Sequence, residues 1–178
     1  MLLLVMRYIK MFLVGLIGLF IVITLLSLLL PSEVKVSRAV VINSTTANVY
    51  AQIAGFKKWK NWQPIFSSDS AVITFSDSTQ QLPFCDIVYK DRQIHLSMTA
   101  KDSVSIKFLL QSKGEDDIFN EMDVTPVGVN NGIQVEWKAL TKLHWYPWDK
   151  VYGIFIDRLT GNGYEQSLDS LNNFIESH

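Results

Sequence analysis

The twenty positions from Met11 to Leu30, MFLVGLIGLFIVITLLSLLL, carry no charged residue; Arg7 and Lys10 precede them and Pro31 closes them. A bilayer core of roughly 30 Å is crossed by about 20 apolar residues in helical conformation. The pattern therefore predicts a transmembrane helix, with residues 1–32 as an N-terminal anchor. A cleaved signal peptide would need a shorter apolar region, about 7–15 residues, and a small-residue cleavage site. The sequence that follows, LLLPSEV, has no Ala or Gly at that place.

Beyond Pro31 the hydrophobic period changes repeatedly. EVKVSRAVVIN (33–43) has the β-branched content of a strand. Ser44 and Thr45 offer capping hydroxyls to a short amphipathic helix carrying Val49, Tyr50, Ile53 and Phe56. Trp59 and Trp62 suggest a second helix that ends before Pro64.

From Ala71 to Leu143 the period is two. Ile94, Leu96, Met98 and Ala100 take one face of a strand, and Gln93, His95, Ser97 and Thr99 the other. Lys101–Asp102 turns into a second strand, in which Val104, Ile106, Phe108 and Leu110 alternate with Ser103, Ser105, Lys107 and Leu109. Strands over 118–127 and 133–143 follow, joined by a turn at Asn131–Gly132. From Trp148 to Ser177 the spacing is helical again, with an interruption expected at Gly161–Gly163. Residues 33–178 thus read as one α+β domain.

Composition narrows the function. Setting aside Arg7 and Lys10 leaves 14 basic against 17 acidic residues, a net charge of about −3 for the domain. Nucleic acid, which needs a clustered basic face, is not an expected partner. A single cysteine, Cys85, excludes an internal disulfide and points to a small apolar role. Arg7 and Lys10 favour a cytoplasmic N-terminus and an extracytoplasmic domain, although Lys35 and Arg38 flank the other end of the span.

Catalytic candidates are few. His95 falls on the polar face of its strand, His144 in the HWYPW loop and His178 at the chain end. None has metal-ligand spacing, so neither a metal nor another cofactor is expected. Glu115–Asp117 reads as a solvated turn. Glu136 alternates against Val135 and Trp137 and so points away from any cavity they line; only a reversed register would make it a buried base. No catalytic residue is assigned.

The opening PSEVKVSRAVVINSTTANVYAQIAGFKKWKNWQPIF and the ending YEQSLDSLNNF resemble the START-like superfamily, also called SRPBCC or polyketide cyclase/dehydrase-like. The resemblance spans nearly all of residues 31–178. It implies a helix-grip fold, a curved antiparallel sheet wrapped around a long C-terminal helix, with a hydrophobic cavity between them. Placed on that fold, Met98, Phe108, Met122, Trp137, Tyr152 and Phe155 become the expected cavity lining. Trp59, Trp62 and the WYPW loop (145–148) could instead lie at the bilayer interface or the cavity mouth. Similarity to membrane-anchored bacterial members implies a single-pass protein of the bacterial inner membrane that binds a lipid or aromatic metabolite without chemistry. A cyclase or hydratase acting on an apolar substrate, and a solid-core protein that binds a partner as yet undefined, are the alternatives.

Overall fold

A computed structural model describes residues 2–76, 82–128 and 132–177. The turn expected at Asn131 and the terminal His178 lie outside these residues. The first helix, α1 (Leu2–Ser27), is exposed along most of its length and meets the domain at its C-terminal end. Its apolar stretch Val5–Ser27 is exposed except near its end, where Ser27 is buried, and is a candidate membrane span by length and composition.

Seven antiparallel strands follow: β1 (Glu33–Asn43), β2 (Ala71–Phe75), β3 (Phe84–Tyr89), β4 (Arg92–Lys101), β5 (Ser105–Ser112), β6 (Ile118–Val127) and β7 (Gly132–Lys142). Their spatial order is β1-β7-β6-β5-β4-β3-β2, so the first strand pairs with the last and the remainder form a meander. The alternation that made β7 legible becomes burial: Ile133, Val135, Trp137 and Ala139 are buried, while Gln134, Glu136 and Lys138 lie on the outer face. In β4 the alternation fails at its end. A bulge between Met98 and Ala100 places Ala100 opposite Lys107, on the outer face, and so corrects the expected inner position.

Between β1 and β2, α2 (Thr46–Ile53) is capped as expected, with the Asn48 N–H donating to the Thr45 hydroxyl at 3.2 Å. The second helix is instead two 3₁₀ turns, Phe56–Asn61 and Pro64–Ser67. Tight turning serves the indoles. Trp59 donates to the Ile53 carbonyl at 3.0 Å and Trp62 to that of Gln52 at 3.2 Å. Both rings are buried, so these two tryptophans are core residues and not membrane-interface residues.

The C-terminal helical region is broken, but not at Gly161–Gly163. It divides into α3 (Pro147–Gly153) and α4 (Ile156–Glu176), and α4 runs through the glycines without interruption. The glycine at 161 has a packing reason: a Cβ there would lie 2.1 Å from Arg38 Nη2. The guanidinium crosses the helix at that point to reach Asp157 at 3.0 Å. Gly153 is similar, since its Cβ would meet Leu143 Cδ1 at 2.3 Å.

Where α1 ends, α3 packs against it. The Lys150 ammonium donates to the Pro31 carbonyl at 3.1 Å and to the Ser32 hydroxyl at 2.8 Å, and the Leu143 N–H donates to the Ser32 carbonyl at 2.9 Å. The link between helix and domain is thereby fixed on two sides.

Candidate functional site

Four of the six expected lining residues meet on the inner face of the sheet. Met98 lies opposite Phe108, and Met122 opposite Trp137. All four are buried. The space they face holds Trp59, whose ring centroid lies 5.2 Å from Phe108 and 5.8 Å from Trp137, with Phe56 at 5.1 Å and Trp62 at 5.2 Å. Most of these contacts are edge-to-face, the arrangement favoured by the ring quadrupole. Asn120, a buried polar residue of β6, accepts from the Trp137 indole at 3.0 Å and donates to the Ile118 carbonyl at 2.9 Å. The four residues face the centre of the sheet, which aromatic side chains of the domain itself occupy.

Tyr152 and Phe155 do not join this group; they are 51% and 48% exposed. The helix breaks at Ile154–Phe155, and the inner face is supplied by Ile156, Tyr164, Leu168, Leu171 and Ile175 instead. Tyr152 faces a different space. A pocket of about 600 Å³ lies where the ends of β6 and β7 meet α3 and the start of α4, lined on its apolar side by Ile118, Thr141, Tyr152, Ile156 and Thr160. Tyr164, one turn beyond Thr160, packs against both the main core and the small cluster of Val36, Ala139, Leu143 and Ile156, and also touches Trp137 at 5.0 Å between ring centroids. Burial pushes its phenol up to about 12.

The polar rim of the pocket contains Arg92, Glu115, Asp116, His144 and Asp149. Three of these converge: His144 Nδ1 lies 3.2 Å from Asp116 Oδ1 and 3.2 Å from Asp149 Oδ2, and the His144 N–H also donates to Asp149. Desolvation, reinforced by the charge of Asp149, raises the Asp116 carboxyl above its ordinary value. Tyr146 stacks on the imidazole at 5.0 Å and Trp148 stacks on Tyr146 at 4.7 Å. Ligand atoms of the three residues fall within 4.8 Å of one another, a geometry that imidazole–carboxylate hydrogen bonding already accounts for. Sequence spacing reveals only part of this cluster: His144 and Asp149 are five residues apart across the β7–α3 junction, whereas Asp116 comes from the β5–β6 loop. A further advance signal was the coincidence of a histidine and aromatic rings in HWYPW.

The remaining acid–base candidates face away from both spaces. His95 Nδ1 lies 2.6 Å from Asp86 on the outer face of the sheet. Glu136 accepts from the Ser37 hydroxyl at 2.7 Å and pairs with Lys138 at 3.3 Å. The Ser37 bond, helped by Lys138, holds its carboxyl below the ordinary value. Asp123 pairs with Lys138 at 2.6 Å on the same face.

No protein-family model matches the chain, and no curated protein matches it in sequence. Solved structures do match its shape. The Zhui aromatase/cyclase from Streptomyces sp. R1128 superposes with a TM-score of 0.62 at 8% identity, over 81% of this chain and 94% of that one. A START superfamily protein from Mycobacterium smegmatis gives 0.62 at 13% identity, over 80% and 97%. The di-domain ARO/CYC StfQ from the steffimycin biosynthetic pathway gives 0.63 at 12% identity, over 82% of this chain and 51% of that one. The domain after α1 therefore has the START-like helix-grip fold.

Proposed function

We propose that this chain is a membrane-anchored START-like domain that holds a hydrophobic or amphipathic small molecule without transforming it. Residues 1–32 serve as a single-pass anchor in a bacterial inner membrane, and residues 33–178 form the binding domain on the extracytoplasmic side. The observation that carries this reading is the pocket of about 600 Å³ between the sheet and α3–α4, apolar on one side and charged on the other. Ile118, Tyr152, Ile156 and Thr160 suit an apolar body. Among the rim charges Arg92 is paired with Glu115 at 3.4 Å, and Asp116 and Asp149, which both flank His144, keep the polar end acidic, which favours a hydrogen-bond donor or a cation there. Met98, Phe108, Met122 and Trp137 are then the packed floor behind Tyr164, and a ligand reaches them only if that ring or Trp59 moves.

The test is to purify the full chain in mild detergent, extract it with organic solvent and weigh the native complex by mass spectrometry. A retained lipid or aromatic compound at near-stoichiometric level is expected. Thr160→Trp, which projects an indole into the pocket, should abolish retention while circular dichroism stays unchanged. An empty wild-type protein, or equal retention by the folded variant, would reject the pocket. A second reading is favoured by the shifted carboxyl of Asp116 beside His144: acid–base catalysis on a bound apolar substrate. It predicts turnover that Asp116→Asn removes without loss of binding.

A further inference from the structure

The surface of α3 has its polarity reversed. Both charged residues of α3 turn inward: Asp149 toward His144, with only 12% of its side chain exposed, and Lys150 onto Pro31 and Ser32, where it is buried. The large apolar residues turn outward. Trp145, Trp148, Val151, Ile154, Phe155 and Leu159 are all exposed, a cluster of large apolar side chains on and beside α3, with the exposed charges of Asp157 and Arg158 among its last members. A water-facing helix would show the opposite arrangement. Patches of this kind mark an interaction surface.

We infer that this face seats in the interfacial layer of the bilayer that α1 crosses. The inference rests on the anchor reading above and adds a second, peripheral membrane contact to it. Position selects the occupant. α3 packs on the end of α1, and Lys150 ties it to the two residues that follow the span, so the patch lies at the level where the helix leaves the membrane. Its chemistry agrees, because Trp and Tyr concentrate at the headgroup boundary and apolar helix faces bury there. The domain is then held by a span and a flat contact, not by a free tether. Tyr146 and Tyr152, which line the pocket, adjoin this patch, so the pocket mouth opens at the lipid surface and an amphiphile can enter without crossing water.

Tryptophan placement makes the seat measurable. Trp59, Trp62 and Trp137 are buried in the core, whereas Trp145 and Trp148 are on the patch. The full chain is reconstituted into phosphatidylcholine vesicles with and without bromine near the top of one acyl chain, and alkaline carbonate extraction is run on the same vesicles. Bromine should reduce the emission of the wild type, and W145F/W148F should lose that reduction entirely. A chain stripped by carbonate refutes the anchor and the seat together. A chain that resists carbonate but whose emission bromine leaves unchanged refutes the seat alone. In that case iodide in the buffer reports what lies over the patch: quenching means water, and its absence means a second copy or another protein.

Discussion

Trp59→Ala separates a filled core from a yielding cavity more directly than any other substitution in this domain. The indole is 1% exposed and has five aromatic neighbours within 5.9 Å. A fully buried tryptophan removes roughly 200 Å² from water, which at about 25 cal/mol per Å² corresponds to ~5 kcal/mol. Alanine retains a small part of that, while the lost bond to the Ile53 carbonyl adds about 1 kcal/mol. The expected cost is therefore about 4–5 kcal/mol, in the usual range for Trp→Ala in a core and a large share of the 5–15 kcal/mol typical of a domain. Trp148→Ala, at a position 64% exposed, should cost less than about 0.5 kcal/mol in detergent and serves as the control. The assay is urea unfolding of the full chain in maltoside micelles, followed by circular dichroism so that the lost fluorophore does not matter. Free indole added to the alanine variant should restore part of the stability by binding the vacated space. A cost below about 2 kcal/mol would refute the reasoning, because it would mean that the rings around Trp59 rearrange easily and that the centre of the sheet is a deformable binding cavity.

Cys85 is buried and its thiol is pushed up to about 12 by desolvation, so it should resist thiol-specific reagents at pH 8 until urea unfolds the domain; prompt modification of native protein would contradict that burial. Asp102 closes the β4–β5 turn, accepting from the Val104 and Ser105 N–H groups at 2.8 and 2.7 Å and from the Ser105 hydroxyl at 2.9 Å, and the Val104 bond is the largest cause of its lowered carboxyl pKa. A carboxyl lower in the folded state stabilises above its unfolded pKa and loses that contribution as pH falls through the folded value. Asp102→Asn should thus lower Tm at neutral pH and narrow its gap to the wild type in acid below about pH 4; a constant gap would reject the linkage. Glu136→Gln should leave ligand retention unchanged and cost less than about 1 kcal/mol, since Glu136 sits on the outer face in a partly solvated pair with Lys138. Loss of a measured activity in that variant would place Glu136 at a site on the outer face. Asp116→Asn should raise Tm slightly, because its carboxyl is held above the ordinary value by burial and by Asp149. Relief of that kind grows with pH through the raised pKa, and a lower Tm would mean that the charge is needed.

The sheet was legible because burial on one face writes itself as period two: Ile106 and Phe108 of β5, and Ile133 to Ala139 of β7, take the faces that the alternation assigns them. The rule failed at Ala100, where a bulge changes the face without changing the composition. Two of the six expected lining residues, Tyr152 and Phe155, lie away from the other four for a related reason. Tyr152 and Phe155 carry the helical spacing of residues that face a sheet, but the helix breaks between Gly153 and Ile156, so that spacing does not continue the face of α4. The polar cluster joins the local pair His144 and Asp149 to Asp116 from the distant β5–β6 loop, and local spacing holds no record of that second meeting.

What the chain determined alone is whatever depends on local period and length: an apolar helix long enough to cross a bilayer, the strands with their inner faces, the Thr45 cap, and the α+β order that leads to a helix grip. What only the tertiary structure decided is which spaces stay open. Side-chain volume summed across α2, the 3₁₀ turns, the sheet and α4 fills the centre with Trp59 and its neighbours and leaves room at the α3 end, because packing is a property of surfaces brought together from distant parts of the chain.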